Sequence, residues 1–167
     1  MKEKDSITVQ EAREGLAFIG IWMDARYNSR FVETPIQEWD MPRKEKGFFT
    51  VYAMNLVLES DGFDCLAGQE PVDVEAFIAL LHRLGAKKTS IFVHKTLVVL
   101  KTKTRRERNT CTSEYYDLFK REKVWLKLLD YLGQRIYMNY LLRAQAIDAS
   151  GENLFDPKQW RGEFSKS

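Results

Sequence analysis

Residues 71–85 read PVDVEAFIALLHRLG, and this stretch decides the fold class. Its apolar side chains recur with the three-and-four spacing of one helix face, at Val74, Phe77, Ile78, Leu81 and Leu84. Pro71 suits the first turn of a helix, where a backbone N–H would have no partner. Gly85 follows the last apolar residue, at a position where glycine commonly ends helices. The stretch therefore predicts an amphipathic helix with one buried face.

The same apolar spacing predicts helices on both sides of this one. A first helix is expected from about Val9 to Tyr27, because Thr8 and Glu11 have the spacing of a capping box. Ser113 is a plausible N-cap for a long fifth helix, which Gly133 interrupts. Four further helices are predicted, over 45–59, 87–100, 113–132 and 136–147.

The helix expected over 87–100 has a less regular pattern than the others. We expect it to bury Ile91, Phe92, Leu97 and either Val98 or Val99. The β-branched run 96–99 also suits a pleated sheet, so a strand is an alternative at this place.

Length and composition favour one compact domain. The chain has 167 residues, of which 44% are apolar; that is enough to fill a core and excludes wholesale disorder. We expect an all-α, compact single domain of about five to six helices over 1–167, with a polar, loosely docked tail from about 148. No apolar run approaches the ~20 residues of a membrane span, and no signal peptide opens the chain. No membrane contact and a cytoplasmic location are therefore expected.

Catalytic and metal-binding patterns are missing from the sequence. Neither His82 nor His94 has a ligand partner three or four residues away, and no phosphate-binding glycine motif occurs. Cys65 and Cys111 lack the spacing of a zinc site, and two free thiols are the better interpretation. The sequence predicts a protein that is not an enzyme and holds no metal and no cofactor.

Charge is distributed unevenly along the chain. The net charge is +2, but residues 48–84 hold six acidic residues and one basic residue, whereas residues 85–112 hold eight basic residues and one acidic. We expect the basic residues to lie on an exposed loop over 101–112, where they could contact a phosphate backbone. This nucleic-acid alternative rests on Lys101, Lys103, Arg105, Arg106 and Arg108.

The region 48–93 carries a family resemblance. A helix rich in aromatic residues reaches Glu59-Ser60-Asp61-Gly62-Phe63-Asp64, and a later helix ends in Leu84-Gly85-Ala86-Lys87-Lys88-Thr89. This order resembles the bacterial DNA-mimic protein 19 family. The resemblance implies an all-α fold and binding of another protein, including DNA-binding proteins, with a homodimer as one form. Because the net charge is positive, mimicry of phosphates is confined to Glu59, Asp61, Asp64, Glu70, Asp73 and Glu75.

Gly62 and Phe63 have structural roles in this interpretation. Gly62 is expected to end the second helix with a positive φ, because the apolar stripe stops just before Ser60-Asp61. Phe63 is expected to anchor the following loop over 63–69 in the core. Replacing Gly62 by alanine should cost on the order of 1 kcal/mol.

Overall fold

The computed structural model describes residues 7–27, 34–67 and 73–150, and every regular element in them is helical. The α-helices are α1 (Val9–Tyr27), α2 (Arg43–Leu66), α3 (Val74–Arg83), α4 (Lys87–Val99), α5 (Arg105–Arg121), α6 (Val124–Leu132) and α7 (Gln134–Ser150). Short 3-10 turns, Ile36–Glu38 and Leu100–Thr102, precede α2 and α5. The all-α prediction is confirmed for this part of the chain, with seven α-helices where five to six were expected.

The extra helix arises because the predicted long fifth helix is divided. Lys123 has φ 51° and ψ 47°, the left-handed conformation, and this residue separates α5 from α6. The start of α5 also differs from the prediction. Thr104 caps it through a capping box with Glu107, whereas Ser113 lies inside the helix and its hydroxyl donates to the carbonyl of Asn109.

A kink at Gly62 divides α2 near its end. Gly62 has φ 64° and ψ −165°, and the helix resumes for one more turn to Leu66. The predicted positive φ is confirmed, but the loop predicted over 63–69 is wrong for 63–66, which are helical. Thr112 of α5 explains the resumption in part, since its Oγ1 accepts a hydrogen bond from the Phe63 amide at 3.0 Å.

The core lies where α2 packs against α5, α3 against α4, and α1 against α6. Phe63 is fully buried there, and its ring meets Phe92 and Tyr115 edge-on, with centroids 6.3 and 6.1 Å away. Such edge-to-face contacts are favourable for aromatic pairs. The expectation that Phe63 is an aromatic anchor is therefore confirmed.

The buried face of α4 differs from the prediction. The helix buries Thr89, Ser90, Val93 and Thr96, whereas Ile91 and Val98 are 51% and 73% exposed and Val99 is also exposed. The predicted burial of these three residues is wrong, and the segment 96–99 is helix rather than strand. The hydroxyls on the buried side find partners: Thr89 donates to Glu122, and Ser90 donates to the carbonyl of Ile78 at 2.9 Å.

The C-terminal helix extends slightly beyond its predicted end at 147. α7 continues through Ser150, and residues 151–167, which make up nearly all of the predicted tail, lie outside the described part of the chain. Among the helices of residues 7–27, 34–67 and 73–150, none combines the length and apolar character needed to cross a membrane.

Candidate functional site

The acidic and the basic candidate segments meet at Asp64. The guanidinium of Arg108 donates to Asp64 Oδ1 at 2.9 Å, and Arg105 Nε lies 3.8 Å from Oδ2. Arg108 also donates through Nε to the carbonyl of Leu100 at 3.2 Å. A charge-assisted hydrogen bond between a half-buried pair is stronger than an exposed ion pair. Asp64 and Arg108 are therefore used to join the end of α2 to the start of α5.

Glu59 ends a chain of hydrogen bonds that leads into the core. Its Oε1 accepts from the side-chain amide of Asn55 at 3.0 Å, and Asn55 Oδ1 accepts from the hydroxyl of Tyr115 at 2.8 Å. Arg13 lies 3.8 Å from the same carboxylate oxygen. Burial raises the pKa of Tyr115 well above its ordinary value, which keeps the phenol protonated. Glu59 thus completes a buried polar network besides facing solvent.

The other predicted acidic residues differ in their surroundings. Asp73 Oδ2 accepts from the amide of Ile36 at 3.1 Å, and its buried Oδ1 has no hydrogen-bond partner among the described residues. Asp61 and Glu75 are exposed on different helices, and Glu70 lies outside the described residues. Glu59, Asp64 and Asp73 are therefore engaged by groups within the chain, whereas Asp61 and Glu75 face solvent.

Four of the five predicted basic residues lie on helical structure rather than on a loop. Lys101 belongs to the 3-10 turn before α5, and Lys103 follows it. Arg105, Arg106 and Arg108 lie in the first turn of α5, which the Thr104–Glu107 capping box fixes. Glu107 is turned back toward the amide of Thr104, 2.6 Å away. We name Lys101, Lys103, Arg105 and Arg106 the basic corner. Arg108 is excluded because its largely buried guanidinium donates to Asp64, whereas Arg105, although 3.8 Å from Asp64, is 83% exposed.

The exposed side of α4 combines apolar and basic residues. At 100° per residue, Ile91 and Val98 lie nearly in line and opposite the buried residues Thr89, Val93 and Thr96. Lys87, His94 and Lys95 are exposed on the same side. We name this surface the α4 ridge; it consists of Lys87, Ile91, His94, Lys95 and Val98.

Carboxylates are missing from the sequence around the α4 ridge. The chain has no Asp or Glu between Glu75 and Glu107, a stretch that contains all of α4 and the basic corner. Lys87 and Lys95 form no ion pair among the described residues. An exposed apolar strip beside such lysines is a feature that binding surfaces share.

Glu122 holds the start of α4 in place. Its carboxylate accepts hydrogen bonds from the amides of Lys88 and Thr89, at 3.1 and 2.7 Å, and from the hydroxyl of Thr89 at 2.6 Å. Ala86, the N-cap residue of α4, provides no side-chain cap. A residue from the end of α5 therefore satisfies the free N–H groups that every helix N-terminus leaves.

The histidines and cysteines are separate from these features, apart from His94. His82 is exposed near the end of α3. Cys65 and Cys111 are free thiols, and Cys65 Sγ lies 3.1 Å from the carbonyl of Gly62. Burial, followed by the carboxylates of Asp61 and Asp64, raises the pKa of the Cys65 thiol. Within 7–27, 34–67 and 73–150, no three His, Cys, Asp or Glu side chains gather at a point that could hold a metal.

The sequence interpretation missed the α4 ridge and Glu122. A helical projection of 87–100 that placed Thr89, Val93 and Thr96 inside would have exposed Ile91 and Val98, but apolar ranking favours the opposite choice. Glu122 gives no local signal, because the residues it caps are more than thirty positions away.

Comparisons with protein-family models, with curated proteins and with solved structures found no match for this chain.

Proposed function

We propose that the protein is a non-enzymatic binding module that acts on another protein through the α4 ridge. The supporting observation is the exposure of Ile91 and Val98 on a helix face with lysines and without carboxylates. Single exposed apolar residues are common on protein surfaces. Two in line on one helix, on the side opposite the core, are typical of a recognition surface.

The surface differs from the one that the DNA-mimic resemblance implies. Glu59, Asp64 and Asp73 each accept a hydrogen bond from within the chain. Using these carboxylates to occupy a DNA-binding protein would compete with bonds that hold the fold. Binding of a protein partner is retained from the resemblance, and its site is moved from the acidic residues to α4.

Replacing Val98 by aspartate should remove the partner while leaving the fold intact. Val98 is 73% exposed, so the change costs little stability, but it places a charge at one of the two apolar positions of the ridge. Affinity capture from a nuclease-treated lysate of the native organism, with the wild-type chain as reference, measures the effect. We expect recovery of the specific partner to fall about tenfold or more, the scale of an apolar anchor residue in an interface.

Leu142→Asp is the matched control for this experiment. Leu142 is an apolar residue on α7 that is 58% exposed, and α7 packs against α1 and α6 rather than α4. The control should capture the partner like the wild-type chain. Equal capture by Val98→Asp, or equal loss in both variants, would contradict the assignment of binding to the α4 ridge.

A nucleic-acid-associated function is the second candidate, and the basic corner supports it. Four basic residues occupy the six positions 101–106, just before and at the start of α5. Glu107 is directed at the amide of Thr104, and Asp64 lies 3.8 Å from Arg105, whose side chain stays exposed. Positive side chains near a helix N-terminus suit phosphate contacts.

The salt dependence of DNA binding tests this second candidate function. We expect no tight binding of short duplex DNA near physiological salt. If binding is found with a dissociation constant tighter than about 10⁻⁶ M, its logarithmic salt slope reports the number of phosphate contacts. Replacing Lys101, Arg105 and Arg106 by alanine should then flatten the slope by up to about three contacts.

The control for net charge replaces three exposed basic residues elsewhere, Arg43, Arg83 and Arg135, by alanine. Tight binding that the basic-corner variant abolishes and this control retains would make nucleic acid the better function. Arg108 is left unchanged in both variants, because its removal would also break the bond to Asp64.

A further inference from the structure

We propose that the α4 ridge receives an acidic amphipathic helix of the partner protein, packed alongside α4 with apolar side chains seven residues apart. This inference rests on the function proposed above and adds the chemistry of the partner. It follows from the spacing of the two apolar residues, from the charges beside them and from the projection of the ridge away from the core.

The spacing on α4 matches that of paired helices. Ile91 and Val98 are seven residues apart, about 10.5 Å along the axis at 1.5 Å per residue, and nearly in line. Two helices that pack side by side meet through apolar residues with this repeat, each side chain inserting between those of the other helix. Ile91 and Val98 are β-branched and have few rotamers, so little conformational entropy is lost when they are covered.

The charges on the ridge select an acidic partner. Lys87, His94 and Lys95 are exposed beside the two apolar residues. α4 itself carries no carboxylate, since the chain has none between Glu75 and Glu107. The carboxylate of Glu122, at the start of α4, is engaged by the Lys88 and Thr89 amides and the Thr89 hydroxyl. The aliphatic stem of each lysine can cover apolar surface while its ammonium group meets a carboxylate at the flank of the incoming helix.

Other occupants fit the ridge less well. A second copy of the chain would bring together two ridges that both carry lysines and no carboxylate, and like charges across an interface oppose association. A nucleic acid would use the lysines but would leave Ile91 and Val98 without apolar partners, since phosphate contacts are made by charged and polar groups. An acidic helix satisfies both kinds of residue.

The length of α4 limits the expected affinity. α4 has 13 residues, about 20 Å of helix. One face of so short a helix offers less contact area than the roughly 800 Å² per partner of a standard stable complex. An isolated peptide should therefore bind weakly, with a dissociation constant on the order of 10⁻⁵ M.

The probe is a blocked synthetic peptide of about three heptads, with leucine at the first and fourth positions and mostly glutamate elsewhere. Titration of the full-length ¹⁵N-labelled protein, followed by amide chemical shifts, locates the site and measures affinity. We expect shifts concentrated on α4. Val98→Asp should weaken binding about tenfold or more, whereas Leu142→Asp should leave it unchanged. Two control peptides are a scrambled version, which keeps the composition but not the apolar face, and a version with lysine in place of glutamate.

Charge reversal on the ridge gives the sharpest outcome. Lys95→Glu should lower the affinity for the acidic peptide and raise the affinity for the lysine peptide, because Lys95 is exposed beside Ile91 and Val98. Equal binding of the scrambled peptide, shifts away from α4, or no binding would overturn the inference. So would self-association that Val98→Asp abolishes, or displacement of the peptide by duplex DNA. If the peptide fails while Val98→Asp still loses the lysate partner, the proposed function stands and only the acidic-helix inference falls.

Discussion

Gly62→Ala should lower the free energy of unfolding by about 3 kcal/mol, which is more than the roughly 1 kcal/mol expected from the sequence alone. The φ of 64° and ψ of −165° place Gly62 in a region that is essentially restricted to glycine. A Cβ added there would also lie 2.6 Å from Thr112 Oγ1. Thr112 cannot move away freely, because its Oγ1 accepts from the Phe63 amide and donates to the Arg108 carbonyl. Chemical denaturation of both proteins measures the difference.

Gly133→Ala separates the cost of the positive φ from the cost of the contact with Thr112. Gly133 has φ 89° and ψ 142°, a comparable backbone conformation, but the nearest atom to its added Cβ is Lys44 Nζ at 3.9 Å, an ordinary contact. This variant should therefore lose only the stability associated with a positive φ, about 1–2 kcal/mol. If the two variants were equally destabilised, the contact with Thr112 would have no part in the effect. A Gly62→Ala variant as stable as the parent would show that the kink is not present.

Glu122→Gln should destabilise the protein by about 1–2 kcal/mol at neutral pH and by less as the pH falls. Burial alone would raise the pKa of Glu122, but hydrogen bonds from the Thr89 hydroxyl and from the Thr89 and Lys88 amides outweigh it, aided by the charge of Lys127. The net result is a pKa below the ordinary glutamate value. The charged carboxylate therefore stabilises the folded state more than glutamine can.

The sign of the pH dependence follows from the lowered pKa. A group whose pKa is lower in the folded state contributes its full stabilisation above the unfolded pKa, and loses it as the pH falls through the folded pKa. The difference between wild type and Glu122→Gln should thus be largest at about pH 7 and should shrink toward about pH 3. Denaturation curves at several pH values measure it, and other titrating carboxylates cancel because both proteins contain them.

Glu114→Gln is the control for the removal of a carboxylate. Glu114 is exposed on α5, the helix that Glu122 follows directly. Its replacement should change the free energy of unfolding by less than about 0.5 kcal/mol. A Glu122→Gln difference that stays constant between neutral and acidic pH would contradict the role of the charged carboxylate as the cap of α4.

Elements with local signals were predicted well from the sequence. α1 runs from Val9 to Tyr27 as expected, and the Thr8–Glu11 capping box is present, with the Thr8 amide 2.7 Å from Glu11 Oε2. The positive φ of Gly62 and the burial of Phe63 were also foreseen. In each case the deciding residues are neighbours in sequence, so the backbone preference and the apolar spacing can be recognised there.

The start of α5 shows how a local signal can be outweighed. Thr104 and Glu107 have the same spacing as Thr8 and Glu11, but the five basic residues around them favoured an exposed loop. The structure places a helix there, because the capping box satisfies its first amides and Asp64 neutralises Arg108. Asp64 and Arg108, which the sequence interpretation assigned to two alternative sites, are thus hydrogen-bonded to each other at this junction.

The sequence by itself determined the helical class, the bounds of α1, the positive φ of Gly62 and the uneven distribution of charge. Only the tertiary structure decided which side of α4 is buried, and therefore that Ile91 and Val98 are available to a partner. The reason is physical: Thr89 and Ser90 are favourable inside only because Glu122 and the Ile78 carbonyl accept their hydrogen bonds. Those acceptors are brought to α4 by the fold, from positions 33 and 12 residues away, and a buried hydroxyl without them would be unfavourable.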